Sequence, residues 1–246
     1  RFLISEAEHP GSILSSLQAA RANCRTIRDS IPRAAREQIN ELYLSARDNV
    51  QEGLTKRGRH AFLKRVILGA QTVTGMLAGT MNHDQGYHFL RMGRNLERAD
   101  MTSRIVDVRS ASLLPEDVPE LRPYENIQWM SVLKSLSAYQ MYRRSMQVRI
   151  RRDDVLRFLL QSQVFPRAFH HCVDAVQNSV VELPRNEGPL RVIGRVKRRV
   201  MGTEVARLDQ AELHEFIDDL QLGLGELHEE IASAWFLPPA EQAVAA

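Results

Sequence analysis

The sequence contains few cysteines and lacks both long apolar runs and a secretory leader pattern. Cys24 and Cys172 are too few for a disulfide framework, so a reducing compartment fits the chain best. No run of about 18 apolar residues occurs, which argues against a membrane-spanning helix. The opening "RFLISEAEHPG" does not have the basic and then apolar layout of a signal peptide. These absences predict a soluble, cytoplasmic protein that is not associated with a membrane.

Recognisable catalytic and cofactor motifs are also missing. The chain has no glycine-rich phosphate loop, no G-x-S-x-G elbow and no paired C-x-x-C, so no cofactor is expected. His83, Asp84 and His88 lie together, but histidines five residues apart do not share a helix face, so no metal site is predicted. His170, His171 and Cys172 are consecutive, and one core residue beside two surface residues is the expected arrangement.

Cationic residues are numerous, but they are interleaved with acidic ones. There are 33 Lys and Arg residues against 30 Asp and Glu, and 29 of the 33 are arginines. Because nucleic-acid binding usually needs a basic stripe, it is unlikely here. The densest basic run, "GRVKRRVMG", is more typical of a solvated helix face than of an RNA or acidic-partner patch. Arginine suits bidentate pairing with carboxylate or phosphate, although compositional bias in a genome produces the same excess.

Hydrophobic periodicity predicts helix after helix, with no alternating strand pattern. The fold class is therefore all-α, an antiparallel up-and-down bundle of about eight or nine helices. We expect one domain over residues 1–246, with a frayed tail at 238–246, and a loop at "LLPEDVPELRPYEN". Several glycines in the third helix, including Gly69, Gly75 and Gly79, suggest that another backbone passes close to it.

The fourth predicted helix, about 85–110, has an apolar seam and a charged flank. The apolar seam comprises Phe89, Met92, Leu96, Ala99, Ser103 and Val106. On the flanks, Arg94 and Glu97 are i,i+3 neighbours and Asp100 and Arg104 are i,i+4 neighbours, so both pairs can meet. Gly93 lies one turn before Glu97, where a facing helix has room to approach and bury the carboxylate.

The fifth predicted helix, about 126–149, carries polar groups within its seam. Tyr139, Tyr142 and Arg143 need polar partners if they are buried, and Glu97 is one candidate. The alternative, left open, is that Tyr142 lies at the surface and Arg143 extends its guanidinium group to solvent. The sequence thus predicts one ligand-binding or buried polar centre. Its members are Arg91, Arg94, Glu97, Arg98, Asp100, Arg104, Tyr139 and Arg143.

Three roles for this centre remain open. An interior lattice of ion pairs would fix the register of the helices. A recognition site would use arginines to bind a carboxylate or phosphate, with Arg21, Arg25 and Arg28 as additional members. Catalysis with Glu97 or Asp100 as general base or metal ligand is disfavoured, because adjacent arginines lower the pKa of a carboxyl group.

Three segments resemble the bacterial alpha-E family, an all-helical family of unknown function with a Glu-Arg pair. They are "FLRMGRNLERADMTSRIVD", "VLKSLSAYQMYRRSM" and "HPGSILSSLQAARANCRTIRD". Members usually begin with an earlier helix of the "YWLGRYLERAENTAR" type, so the chain is expected to be incomplete at its N-terminus or renumbered.

The resemblance implies a function, because the family is often encoded beside or fused to ATP-grasp proteins and transglutaminase-like proteases. We expect a non-catalytic or accessory domain of a system that forms or modifies peptide-like amide bonds. Its partner would be an ATP-grasp-type ligase or a transglutaminase-like protein. The alternative is an enzyme, or a carboxylate- or phosphate-binding domain, with a buried Glu-Arg polar centre.

Overall fold

A computed structural model describes residues 1–110, 122–146 and 149–237, and in these ranges the protein is helical without strands. Within these ranges, twelve α-helices and one π-helical segment, Arg157–Gln161, follow one another. The α-helices are α1 (Phe2–Ser5), α2 (Ile13–Thr26), α3 (Arg33–Asp48), α4 (Val50–Leu54), α5 (Arg59–Thr80), α6 (Gln85–Ser110), α7 (Arg122–Ser135), α8 (Tyr139–Ser145), α9 (Arg152–Leu156), α10 (Phe169–Val180), α11 (Glu187–Gly202) and α12 (Gln210–Trp235).

The predicted all-α class is confirmed. Eight of the described α-helices have twelve or more residues, and the others are short connecting helices of seven or fewer. Helices that are close in sequence pack on one another: α2 on α3, α3 on α5, α10 on α11 and α11 on α12, as expected for an up-and-down bundle. No helix within the described ranges has the length and apolarity needed to cross a membrane.

Local signals in the sequence explain where several helices begin. Ser12 caps α2 by accepting a hydrogen bond from the backbone N–H of Ser15 at 3.2 Å. Asp209 and Glu212 form a capping box at α12, in which each side chain accepts from the other residue's backbone N–H. Both helices therefore start where the capping residues predict.

The chain folds as two compact units, Arg1–Tyr87 and His88–Ala246. The expectation of a single domain stays a prediction. The predicted frayed tail at 238–246 lies outside the described residues, as does most of the predicted loop, of which the structure assigns residues from Arg122 onward to α7.

The first unit has a small core. One cluster of buried apolar side chains consists of Ile4, Ala46 and Phe62, with partly buried neighbours around it. Gly53 of α4 is required here, because a Cβ atom at this position would lie 2.8 Å from the Phe62 ring. The close approach of the aromatic ring to α4 thus depends on a glycine.

The second unit has a far larger core, to which α6 to α12 contribute. Trp129, Tyr142, Phe158 and Phe169 are among its fully buried side chains. The segment "LRVIGRVKRRVMG", only weakly helical by pattern, lies within α11, which packs between α10 and α12. Tertiary packing of its apolar stripe therefore outweighs the modest local helix signal.

The fifth predicted helix, at about 126–149, is wrong as a single helix. The structure divides it into α7 and α8, with Ser137 between them at a φ of 53°. The backbone N–H of Ala138 bonds to the carbonyl oxygen of Leu133 at 2.7 Å, a closure typical of a helix C-terminus that ends in a left-handed residue. The predicted seam therefore does not continue from Leu136 to Arg143 on one helix face.

The expectation that another backbone passes the glycines of α5 is also wrong. A Cβ atom at Gly69 would meet the side chain of Leu42, whereas one at Gly75 or Gly79 would meet nothing within 4 Å. Only the first of these glycines thus lies at a packed position, and it faces a side chain.

Candidate functional site

The inner side of α6 forms the apolar seam that the sequence predicts. Met92, Ala99 and Val106 are buried, and Ser103 is buried with its hydroxyl donating to the carbonyl oxygen of Asp100. Thr102 is also buried and donates a 2.8 Å hydrogen bond to the carbonyl oxygen of Arg167. This seam fixes the rotation of α6 about its axis and thereby determines which residues face solvent.

The Glu-Arg pair of α6 is divided between two environments. Glu97 is exposed, and among the described residues it forms no hydrogen bond or ion pair. The predicted pairing of Arg94 with Glu97 is absent, and the expectation of a buried carboxylate held among guanidinium groups is wrong. The physical reason is the helix period: with Met92 and Ala99 facing the core, position 97 turns outward.

Gly93 does not admit a facing helix within the described residues. It is exposed, and a Cβ atom there would have no neighbour within 4 Å. Gly93 and Glu97 belong to an exposed stripe that we call the outer face of α6. Its members are Gly93, Glu97, Met101, Arg104 and Val108, all exposed and spaced three or four residues apart.

Asp100 and Arg104 form the ion pair that their spacing predicts. The Nε of Arg104 lies 2.7 Å from the Oδ2 of Asp100. The hydrogen bond that Arg104 donates to this carboxylate raises the pKa of Arg104, and the negative charge of Glu97 adds to the effect. Because the arginine side chain is 55% exposed, this pair lies at the surface and is worth little stability.

Arg98 is half-buried and has a different environment from its neighbour in the motif. Burial lowers the pKa of Arg98 from its usual value, and the positive charge of Arg167 lowers it further. Burial also raises the pKa of the Cys172 thiol to about 11, against the opposing effect of these two arginines. The motif therefore presents Glu97 to solvent while its arginine packs toward the chain segment around Arg167 and Cys172.

The remaining predicted members do not converge on Glu97. Arg91 and Arg94 are half-buried, and the backbone oxygen of Arg91 accepts a hydrogen bond from the side-chain amide of Asn95. Arg143 is exposed, and its guanidinium carbon lies 5.9 Å from the centre of the Tyr139 ring, a cation–π contact. The predicted polar centre is thus distributed over the surface of the second unit.

Tyr142 is fully buried, which decides against the alternative that it lies at the surface. Its hydroxyl donates to the carbonyl oxygen of Arg149 at 3.0 Å, and its ring packs edge-on against Phe158. Because α8 is a separate helix from α7, its inward face does not have to continue the seam of α7.

The histidines near the start of α6 and in α10 have structural environments. His83 stacks on the Tyr87 ring at 4.0 Å, and its Nε2 lies 3.1 Å from the carbonyl oxygen of Ala78. In α10, His170 and Cys172 are both buried, so the expectation of a single core residue in this tripeptide is wrong. Burial lowers the pKa of His170, and the positive charge of Lys197 contributes.

One cluster of a histidine and two carboxylates is not predicted by the sequence. The Nδ1 of His214 lies 2.7 Å from Asp107 of α6, and its Nε2 lies 3.7 Å from Asp218 on its own helix, α12. Within the described part of the chain, these three residues are the group whose ligand atoms lie close enough to share a metal ion. His214 and Asp107 are 107 positions apart in the sequence, so no local pattern predicts their contact.

The basic run of α11 is largely neutralised. Arg195 pairs with Glu226, Lys197 with Asp174, and Arg199 with Asp219. Lys197 also donates to the side-chain oxygen of Gln177 on α10. These pairs describe a solvated helix face that contacts neighbouring helices, in agreement with the expectation for this segment.

The additional arginines of the recognition hypothesis lie in the first unit. Arg21, Arg25 and Arg28 line a cavity of about 500 Å³ at the junction of α2 and α3. Arg33 and Arg36, which the sequence analysis did not single out, line the same cavity. The turn between α2 and α3 reverses the direction of the chain and brings the five arginines together.

Comparison with known proteins identifies a family without assigning an activity. A family model described as a predicted alpha-helical domain with a conserved ER motif matches residues 1–236. The sequence contains a single Glu-Arg dipeptide, Glu97-Arg98. No curated protein and no solved structure matches the chain.

Proposed function

Since this chain belongs to the Alpha-E family of helical domains, we propose that it is a non-catalytic accessory domain that binds a protein partner through the outer face of α6. The partner is a component of a system that forms or modifies peptide-like amide bonds. An ATP-grasp-type ligase is the first candidate, and a transglutaminase-like protein is the second.

The exposure of Glu97 is the observation that carries this proposal. The family is described by its ER motif, yet the glutamate of the motif forms no described bond within the chain. A carboxylate without a hydrogen bond or ion pair to any described residue is available to a second molecule. The rest of the outer face suits helix docking, because Gly93 leaves room for a close approach and Met101 and Val108 expose apolar surface.

The electrostatics of the motif favour binding over catalysis. A general base needs a bonded partner that orients it, and among the described residues no side chain hydrogen-bonds Glu97. Arg104, whose charge interacts with Glu97, is itself held by Asp100. Glu97 is therefore suited to pair with a cationic side chain of the partner. The proposed setting is the bacterial cytoplasm, where free thiols such as Cys24 and Cys172 persist.

The test is a binding titration between the purified full chain and each candidate partner. We expect the Glu97→Gln variant to bind the ATP-grasp-type ligase at least about tenfold more weakly, since a charged interface contact is worth about 1.5–3 kcal/mol. Ligation assays with and without the chain then show whether binding alters amide formation.

Glu41→Gln is the matched control, because Glu41 is also an exposed glutamate within a long helix, α3. The control variant should bind as the wild type does. Binding that responds equally to both substitutions, or no binding to either class of partner, contradicts the proposal. Binding to the transglutaminase-like protein alone would replace the first candidate with the second.

A further inference from the structure

The arginine-lined cavity of the first unit carries a positive charge that the described residues do not neutralise. Five guanidinium groups line it, from Arg21, Arg25, Arg28, Arg33 and Arg36, together with one carboxylate. That carboxylate, Glu37, is already paired with Arg33 at 2.7 Å. The other four arginines form no ion pair with any described residue.

Two of these arginines are half-buried in the first unit. Arg21 is half-buried, donates a 2.6 Å hydrogen bond to the side-chain oxygen of Asn40, and stacks over the Tyr43 ring. Arg36 is half-buried, and its Nε is buried without a hydrogen-bond partner. Arg21 is thus pre-positioned at the cavity, and Arg36, which also lines it, has a donor that no described residue satisfies.

Helix dipoles explain only part of this arrangement. Arg25 lies in the last turn of α2, where a cation is stabilised by the helix dipole. Arg33 and Arg36 lie near the start of α3, which has no acidic residue in its first turn and no capping side chain. Cations at a helix N-terminus are unfavourable, so their placement there costs stability unless an anion binds.

The lining restricts the chemical class of the ligand. Beside the charged residues it contains Cys24 and Asn40 and no aromatic side chain, so a base finds no aromatic ring to stack on. A volume of about 500 Å³ accommodates a small molecule. A carboxylate brings one charge and two oxygens, whereas a terminal phosphate brings about two charges and three acceptor oxygens. Linked phosphates therefore match four unpaired guanidinium groups best.

We infer that this cavity binds a small ligand with two or more linked phosphate groups. Guanidinium forks from α2 and from α3 contact its oxygens, and the start of α3 adds favourable electrostatics. The site is independent of the outer face of α6, since every residue that lines it belongs to the first unit.

Tripolyphosphate is the probe, titrated calorimetrically into the full chain at low salt. Wild-type protein should bind it at least about tenfold more tightly than citrate or orthophosphate, because neither competitor supplies linked phosphates. ATP should bind about as tightly as tripolyphosphate, since the lining provides no contact for adenine.

Arg36→Gln should weaken tripolyphosphate binding at least about tenfold, as expected for loss of a charge-assisted contact. Its melting temperature without ligand should not fall, because the substitution removes an unfavourable charge. The matched control is Arg57→Gln, an exposed arginine of the same unit that does not line the cavity.

Several results would overturn the inference. They are the absence of tripolyphosphate binding, citrate binding of equal strength, and equal losses in Arg36→Gln and Arg57→Gln. Much tighter binding of ATP would also overturn it, because the ligand would then be recognised through its base.

Discussion

At the scale of single residues, Glu97 shows how a helix period decides between a structural and an external role. Its seam neighbours, Met92 and Ala99, are buried in the core of the second unit. The same period that places them inside turns Glu97 outward, although the surrounding sequence is rich in arginine. An arginine-rich flank is therefore compatible with an exposed carboxylate and does not by itself indicate an interior ion pair.

We predict that Glu97→Gln changes the free energy of unfolding by less than about 0.5 kcal/mol, as surface substitutions usually do. A buried, paired carboxylate would instead lose about 3–5 kcal/mol when half the pair is removed. Urea unfolding followed by circular dichroism distinguishes these values. A loss of several kcal/mol would mean that Glu97 is a structural group and would remove the basis for assigning it to a partner.

At the scale of elements, sequence reasoning succeeds where local signals dominate and fails where tertiary contacts decide. The period of α6 is a local signal, and the predicted bounds of about 85–110 agree with the observed Gln85–Ser110. The break at Ser137 depends on a left-handed residue that is not glycine, so the hydrophobic pattern did not predict it. The sequence therefore left the burial of Tyr142 open, and the structure decides it.

The candidate sites show the same limit. The i,i+4 pair of Asp100 and Arg104 was predicted because one helix contains both residues. The contact between His214 and Asp107 joins two helices far apart in sequence, and it was not predicted. Arg33 and Arg36 come close to Arg21, Arg25 and Arg28 only because the chain reverses between α2 and α3. Composition and spacing therefore indicated only the last three of these five arginines.

Helix packing predicts opposite effects for one type of substitution at two glycines. Gly75→Ala in α5 should stabilise the protein by about 0.5–1 kcal/mol, because a Cβ atom there meets nothing within 4 Å and alanine favours the helix. Gly223→Ala in α12 should destabilise it by about 1–3 kcal/mol, since its Cβ atom would lie 2.7 Å from Cγ2 of the buried, stiff Val196. Denaturant unfolding of both variants measures the signs, and two stabilising substitutions would contradict the close packing of α11 on α12.

The contact between α6 and α12 should depend on pH. The hydrogen bond to Asp107 raises the pKa of His214, and the charges of Asp218 and Glu215 add to the effect. A raised pKa in the folded state means that the stabilisation is fully present below the unfolded value of 6.5 and is lost as pH rises through the folded value. NMR titration of the imidazole should therefore give a pKa above 6.5, and Asp107→Asn should lower it.

His228→Gln is the control for this contact, because His228 is an exposed histidine on the same helix. It should retain the wild-type dependence of stability on pH, whereas His214→Gln should flatten that dependence around the titration of the imidazole. Identical profiles for His214→Gln and the wild type would show that the contact does not contribute to folding.

At the scale of the whole molecule, the unequal cores of the two units predict unequal resistance to local opening. The apolar cluster of the second unit extends through α10, α11 and α12, with Phe169, Ile193 and Leu213 fully buried. In the first unit, α5 has an exposed stretch around Gly75, and the cluster around Phe62 is small. The free energy of local opening rises with the amount of buried apolar contact.

Native-state hydrogen exchange should therefore show the slowest-exchanging amides in α10, α11 and α12. Their opening free energies should approach the global free energy of unfolding. Amides in the second half of α5 should exchange through smaller openings, at lower free energy, because few buried side chains hold that segment. A ligand of the arginine-lined cavity would raise protection first in α2 and α3, whose residues form its lining. If exchange in α5 were as slow as in α11, the unfolding of the two units would be a single cooperative event, and the difference in their cores would not control local stability.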